Sequence, residues 1–211
     1  MRERATFLAP TRERFVKRRL RVTFLCSVLA LCTVVPAFAA GEATPSLYSL
    51  GDQTLSINVG AFVPLFLFGG NPTIGTANLS LGGVGTIDWA AYLSSHLRIG
   101  ASLGWDFTFD PNYTLFMMVP IIAKASYLID FYPWEVPLTL GAGMNIVKYS
   151  VDSTIDLLIK PGTGLLWTYN SSWSFGVNLN YWWDMQFTNA SSAGFVAGNF
   201  LEVSLCAFYH Y

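Results

Sequence analysis

Basic side chains nearly vanish after residue 21: Arg98, Lys124, Lys148 and Lys160 are all that remain. Eleven acidic residues lie in the same stretch (Glu42, Asp52, Asp88, Asp106, Asp110, Asp130, Glu135, Asp152, Asp156, Asp184 and Glu202). Four minus eleven gives it a net charge of −7, against −1 for the whole chain. So few cations cannot neutralise a phosphate backbone, which argues against nucleic acid as a partner. Cysteine is as scarce, with Cys206 alone beyond Cys32, so no disulfide can form within that part of the chain. Two scattered histidines and that one cysteine make no zinc-ligand spacing, and neither a metal nor another cofactor is expected. Beyond the N-terminal region no apolar run approaches the ~20 residues of a spanning helix. Yet 53% of the chain is hydrophobic and 16% aromatic, with only 12% charged. A chain this apolar without a spanning helix satisfies its backbone in lipid as a closed β-barrel.

What the rest lacks, the N-terminus has. Eight of the twelve Lys and Arg precede residue 22, an apolar run follows from Val22 to Val35, and Pro36-Ala37-Phe38-Ala39 comes next. A basic region, an apolar region and a small-x-small site make a secretory signal peptide over 1–39, cut after Ala39 or Ala40, leaving a barrel of 40–211. The alternative, a retained helical anchor, is disfavoured because the run is too short. Cys26 and Cys32 each follow leucine, where a lipidation site wants a small residue.

The last residues, FLEVSLCAFYHY, alternate. Leu201, Val203, Leu205, Ala207, Tyr209 and Tyr211 share one parity, while Glu202, Ser204, Cys206 and His210 share the other. Such a strand has one apolar and one mixed face. Its aromatic end looks like the C-terminal signal by which the barrel-assembly machinery recognises bacterial outer-membrane barrels. Export plus this ending predicts the outer membrane of a diderm bacterium, with membrane lipid and that machinery as partners.

Alternation and turn signals predict eight antiparallel strands, near 53–64, 79–93, 97–108, 114–130, 137–149, 154–169, 173–186 and 197–210, after a flexible leader over 41–51. Tight links at 94–96, 131–136 and 170–172 alternate with connections at 65–78, 109–113, 150–153 and 187–196, which puts both termini on the periplasmic side. With odd numbers facing lipid in every strand but the fifth, where even numbers do, nine of the ten charged residues in these strands face the lumen (Asp88, Arg98, Asp106, Lys124, Asp130, Asp156, Lys160, Asp184 and Glu202). Lys148 alone faces out, near a strand end. A basic residue facing lipid at mid-bilayer costs about 2–4 kcal/mol, which gives the pattern its cause. Outward aromatics fall in two belts: Trp167, Tyr169, Trp173, Tyr209 and Tyr211 at one end, Trp105, Phe107, Tyr181 and Trp183 at the other.

Two stretches carry a likeness. Pro137-Leu-Thr-Leu-Gly141-Ala-Gly143-Met-Asn145 resembles the P-x-x-G-A-G-x-N element of the OmpW family of small outer-membrane proteins. Trp173-Ser-Phe-Gly-Val-Asn178-Leu-Asn-Tyr181-Trp-Trp183-Asp184-Met is similar to that family's seventh strand. The likeness covers the C-terminal half; short second and third outer loops and an apolar first loop depart from the family pattern. It implies an eight-stranded barrel with a narrow, partly hydrophobic channel for small apolar molecules.

The lumen pattern is read separately from that likeness. Phe62, Phe116, Met118, Val147, Tyr149, Leu158, Trp182 and Phe200 fall near the outer strand ends, above a polar floor of Asp88, Arg98, Lys124, Lys160 and Glu202. An apolar vestibule over a charged floor would admit small hydrophobic solutes and block their straight passage, so that exit needs a gap in the wall. The alternative is that these residues simply fill a small barrel. Trp182 and Tyr149 could stack a ligand, and Asp106 and Asp184 could meet near the rim. Catalysis is not expected, since His96 and His210 both lie at the periplasmic end, away from the outer rim. The rival to transport is a structural barrel, or an adhesin or receptor acting through its outer loops.

Overall fold

The computed structural model describes residues 48–69, 74–149, 152–187 and 195–211. The expected signal peptide lies outside the described residues. Among the described residues nine strands form: β1 (Gln53–Gly69), β2 (Ile74–Thr76), β3 (Gly82–Tyr92), β4 (Leu97–Phe109), β5 (Leu115–Phe131), β6 (Trp134–Tyr149), β7 (Asp152–Thr168), β8 (Trp173–Phe187) and β9 (Phe195–His210). All pair antiparallel. β1 and β3 to β9 follow chain order, and β1 pairs with β9 to close an eight-stranded barrel. The short β2 only extends one end of β1. Strands such as β5, with 17 residues, exceed the ~9–11 a tilted strand needs to cross a bilayer.

The alternation predicted from sequence holds. In β4 every odd residue from Leu97 to Phe109 is exposed, and Arg98, Ser102, Asp106 and Thr108 are buried. β6 runs the other way, with Leu138, Leu140 and Met144 outward and Glu135, Asn145 and Val147 inward. The outside is therefore a band of exposed leucine, isoleucine, valine and aromatic side chains, far larger than a soluble monomer carries. All nine predicted lumen charges are buried or half-buried, and Lys148 is exposed.

Three differences have physical causes. Residues 65–69 are not loop: β1 continues past a bulge between Pro64 and Phe66, which flips the parity so that Phe66 and Phe68 face outward. Strand β6 begins at Trp134 rather than 137, because Trp134 and Glu135 pair with Phe131 and Asp130 and continue the alternation. The leader is not free where it is described, since Tyr48 is buried in the end of the barrel that carries the C-terminus. The predicted loop at 187–196 falls largely on residues outside the described set.

Candidate functional site

The lumen is stratified, and the strand register sets the layers. Phe62 of β1, Val84 of β3, Met118 and Ile122 of β5, Val147 of β6, Leu158 of β7, Trp182 of β8 and Phe200 of β9 all point inward and form one buried cluster. Phe62 lies edge-on to Trp182, with centroids 5.2 Å apart, and stacks on Phe200 at 4.8 Å. Phe62, Met118, Leu158 and Trp182 have no exposed surface. An eight-stranded barrel is just wide enough for such side chains to fill it, and they do.

This corrects the expected open apolar vestibule. Of its predicted lining, Phe116, Val147, Tyr149 and Phe200 border a cavity of about 970 Å³ at the end of the barrel away from the termini. Phe62, Met118, Leu158 and Trp182 instead form the packed plug beneath it. Trp182 is therefore unavailable to stack a ligand. Tyr149 stays at the mouth, where its hydroxyl donates to Asp110 Oδ2 at 2.7 Å and its ring is 6.0 Å from that of Phe116. The Tyr149 hydrogen bond, more than any other contact, holds the Asp110 carboxyl below its usual range, helped by the amides of Thr114 and Asn112.

Below the plug comes the predicted polar floor, with its two lysines paired to carboxylates. Lys124 Nζ lies 2.6 Å from Asp88 Oδ2, and Lys160 Nζ 2.5 Å from Glu202 Oε2. Glu202 also accepts from Trp182 Nε1 at 2.8 Å, Asn180 Nδ2 at 2.9 Å and Ser204 Oγ at 3.2 Å. Arg98 stands 4.9 Å over the Phe208 ring. Two voids of about 20 Å³ each remain in this layer, room for single waters. The G-A-G stretch of β6 has its reason at this level: a Cβ on Gly141 would meet Ile122 Cδ1 at 2.9 Å and the Lys124 stem at 3.5 Å. A side chain there would have to displace the terminal methyl of Ile122.

The barrel's other end holds a cluster that the sequence reading missed. Tyr48 stacks on Tyr92 with centroids 4.4 Å apart and on His210 at 4.9 Å, and its hydroxyl donates to Glu135 Oε1 at 2.8 Å. Thr168 donates to the same oxygen at 2.8 Å. Burial, and then the neighbouring Tyr92 and Glu135, push the Tyr48 hydroxyl well above its ordinary pKa, so it remains a donor. The signal was present in the parity of Glu135, which a turn assignment hid. Ser174 Oγ lies 3.0 Å from His210 Nε2, but Nδ1 of that ring has no partner to orient it as a base.

A second correction concerns the acidic pair. Asp184 has Asp156 as its electrostatic acidic neighbour, whereas Asp106 interacts with Lys160 and Glu202 in the layer below. Asp156 and Asp184 both line the cavity.

The wall itself is uneven. Pairing skips from Leu103–Ile121 to Asp106–Met118 between β4 and β5, from Glu135–Leu166 to Leu138–Thr163 between β6 and β7, and from Ile159–Trp183 to Gly162–Asn180 between β7 and β8. Each gap contains a proline: Pro120, Pro137 and Pro161. Proline has no N–H to give the ladder, so the pairing is interrupted at these three seams.

A spirochaete-specific family model matches residues 37–209. The chain is 27% identical over 179 residues to an uncharacterised protein of Borreliella burgdorferi, spanning 73% of this chain and 82% of that one. It is also 27% identical over 136 residues to an uncharacterised protein of Treponema pallidum, spanning 60% of this chain and 62% of that one. Among solved structures it is similar to Neisserial surface protein A, with a TM-score of 0.57 and 13% identity over 76% of this chain and 97% of that one. That likeness is one of fold.

Proposed function

We propose that this chain, which belongs to the spirochaete family matched over residues 37–209, is an outer-membrane barrel giving small hydrophobic molecules a narrow route into the membrane. The observation that carries this reading is the cavity of about 970 Å³, walled by Leu79, Phe116, Val147 and Phe200 and ending on a packed apolar plug. It lies within the range of small-molecule pockets, and apolar walls favour apolar occupants. The band of exposed apolar side chains and the aromatic belts suit membrane lipid as its surroundings. Both termini are assigned to the periplasm, with β9 as the strand offered to the assembly machinery. The OmpW-like element at Pro137–Asn145 supports the same reading.

With the plug filling the cross-section, the seams at Pro120, Pro137 and Pro161 are the alternative to axial passage. Flux of a small apolar probe into liposomes holding the purified protein tests the reading. Uptake should exceed that of empty liposomes, saturate, and exclude sugars. Phe116→Asp with Phe200→Asp, both on the cavity wall, should lower solute uptake more than ion conductance, since a charge among apolar groups opposes apolar occupancy. Flux no faster than in empty liposomes overturns transport.

The structural reading, a barrel without transport, is favoured by one specific observation: the plug and the paired floor fill the lumen at two successive levels. An adhesin or receptor role would sit in the longer outer connections predicted at 65–78 and 187–196, since the described turn Asp110–Thr114 alone offers little area against the ~800 Å² each partner contributes to a standard interface.

A further inference from the structure

The floor of the cavity carries charge that the protein leaves unanswered. Asp156 on β7 sits opposite Asn145 on β6, and Asp184 on β8 sits opposite Leu158, two residues further along β7. That diagonal brings Asn145, Asp156 and Asp184 together in the lumen. Asn145 Nδ2 donates to Asp184 Oδ2 at 2.9 Å, and Thr154 Oγ1 to Asp156 Oδ2 at 3.4 Å. The other oxygens, Asp156 Oδ1 and Asp184 Oδ1, are buried with no hydrogen-bond partner, though each residue keeps 6% of its surface exposed and borders the cavity. Among the described residues no lysine or arginine lines that cavity. Lys124 and Lys160 are paired with Asp88 and Glu202 below the plug, and Lys148 is exposed on the outer face.

Two adjacent carboxylates away from bulk water are costly unless a cation or a proton joins them. A divalent metal asks for six or more oxygens. Among the described residues no three His, Cys, Asp or Glu side chains come together to supply them. A neutral hydrocarbon would leave both oxygens unpartnered, and an anion would be repelled. An ammonium group has donors for both oxygens and carries the missing charge. Leu79, Phe116, Val147 and Phe200, which line the same cavity, fit an apolar body attached to it.

We infer that Asp156 and Asp184 form a binding site for organic cations with an apolar body, small hydrophobic amines, held with the ammonium on the carboxylates and the body against Phe116 and Phe200. This rests on the proposed uptake of hydrophobic molecules at the same cavity and names the class of solute it favours.

The test uses the full protein in phosphatidylcholine nanodiscs, with empty discs as the blank. Phenylpropylamine, phenylpropanol and phenylpropanoate share one apolar body and differ only in charge. Calorimetric titration should find the amine bound about tenfold or more tighter than the alcohol, the least one charge-assisted contact supplies, and the carboxylate unbound. Asp156→Asn with Asp184→Asn should bring the amine down to the alcohol and leave the alcohol's affinity alone. Equal binding of amine and alcohol by the native protein overturns the cation site and leaves hydrophobic uptake standing. Binding of none of the three overturns both. Calcium that binds alone and displaces the amine makes the pair a metal site, which also overturns the inference. Should the double variant fail to migrate as a folded barrel, the native comparison and Asp156→Asn alone decide.

Discussion

Trp182 donates its indole N–H to Glu202 at 2.8 Å, which ties the apolar plug to the charged floor through one hydrogen bond. The same carboxylate holds Lys160, whose ammonium also stands 4.3 Å from the Trp182 ring. Plug and floor are therefore one mechanical unit. A residue that neither faces the cavity nor binds solute can still decide whether the barrel is closed.

Glu202→Gln leaves Lys160 buried without its counter-charge. Breaking a buried pair from one side costs about 3–5 kcal/mol, so the variant should lose its heat-modifiable migration at a distinctly lower temperature. Replacing both partners by Met should recover most of the loss. A double variant as weak as the single one would show that the ion pair is not the source.

Tyr48→Ala removes the ring lodged against Tyr92 and His210 and leaves Glu135 short of a donor. With plug and floor still closing the lumen, the loss falls on stability, and heat-modifiable migration should disappear at a lower temperature. Tyr48→Phe keeps the stacking and should stay closer to the native transition. Identical transitions for all three would mean that Tyr48 holds nothing in place.

Asp110 ties down its turn by accepting from Tyr149 and from the amides of Asn112 and Thr114. Its folded pKa is depressed, so its contribution is present above the unfolded carboxylate value of about 4 and is lost as pH falls through the folded value. Protection of the Asn112 and Thr114 amides against hydrogen exchange should drop in acid, and Asp110→Asn should make it pH-independent. Unchanged protection in the native protein at low pH would refute this.

Deleting Leu205 to Tyr211 removes the part of β9 that pairs with β1 from Thr54 to Val59 and with β8 from Trp173 to Val177. The shortened chain should accumulate in the periplasm or be degraded, with no difference between boiled and unboiled samples on a gel. A truncated chain that inserts and shifts on boiling would deny the closing strand its role in assembly.

How much of this was legible in sequence follows from period and reach. A period of two is a local property, so the strands, their parity and the inward charges at Asp88, Lys160 and Glu202 could be read from one chain. The plug could not: which of Phe62, Trp182 and Phe200 touch depends on the barrel's width and shear, which no single strand contains. Tyr48 was hidden for another reason, because it acts from outside any strand and binds residues 87 and 162 positions away. Glu135 was lost to a boundary drawn three residues late, at the element edge where alternation runs out of residues to count.

Pro161 offers the most direct test of the wall. It pairs with Leu140 on one side, while on the other the β7–β8 ladder skips from Ile159–Trp183 to Gly162–Asn180. Pro161→Ala returns an N–H to that seam at a position already extended and exposed. One restored hydrogen bond contributes about 0.5–1.5 kcal/mol, so the variant should be slightly more stable than the native barrel. If solute leaves sideways between β7 and β8, apolar-probe flux in liposomes should fall while ion conductance along the axis stays the same. Parallel loss of both would point to a change in the lumen instead. Flux that stays native despite the added stability would take this seam out of the route and leave Pro120 and Pro137 to be tried in the same way.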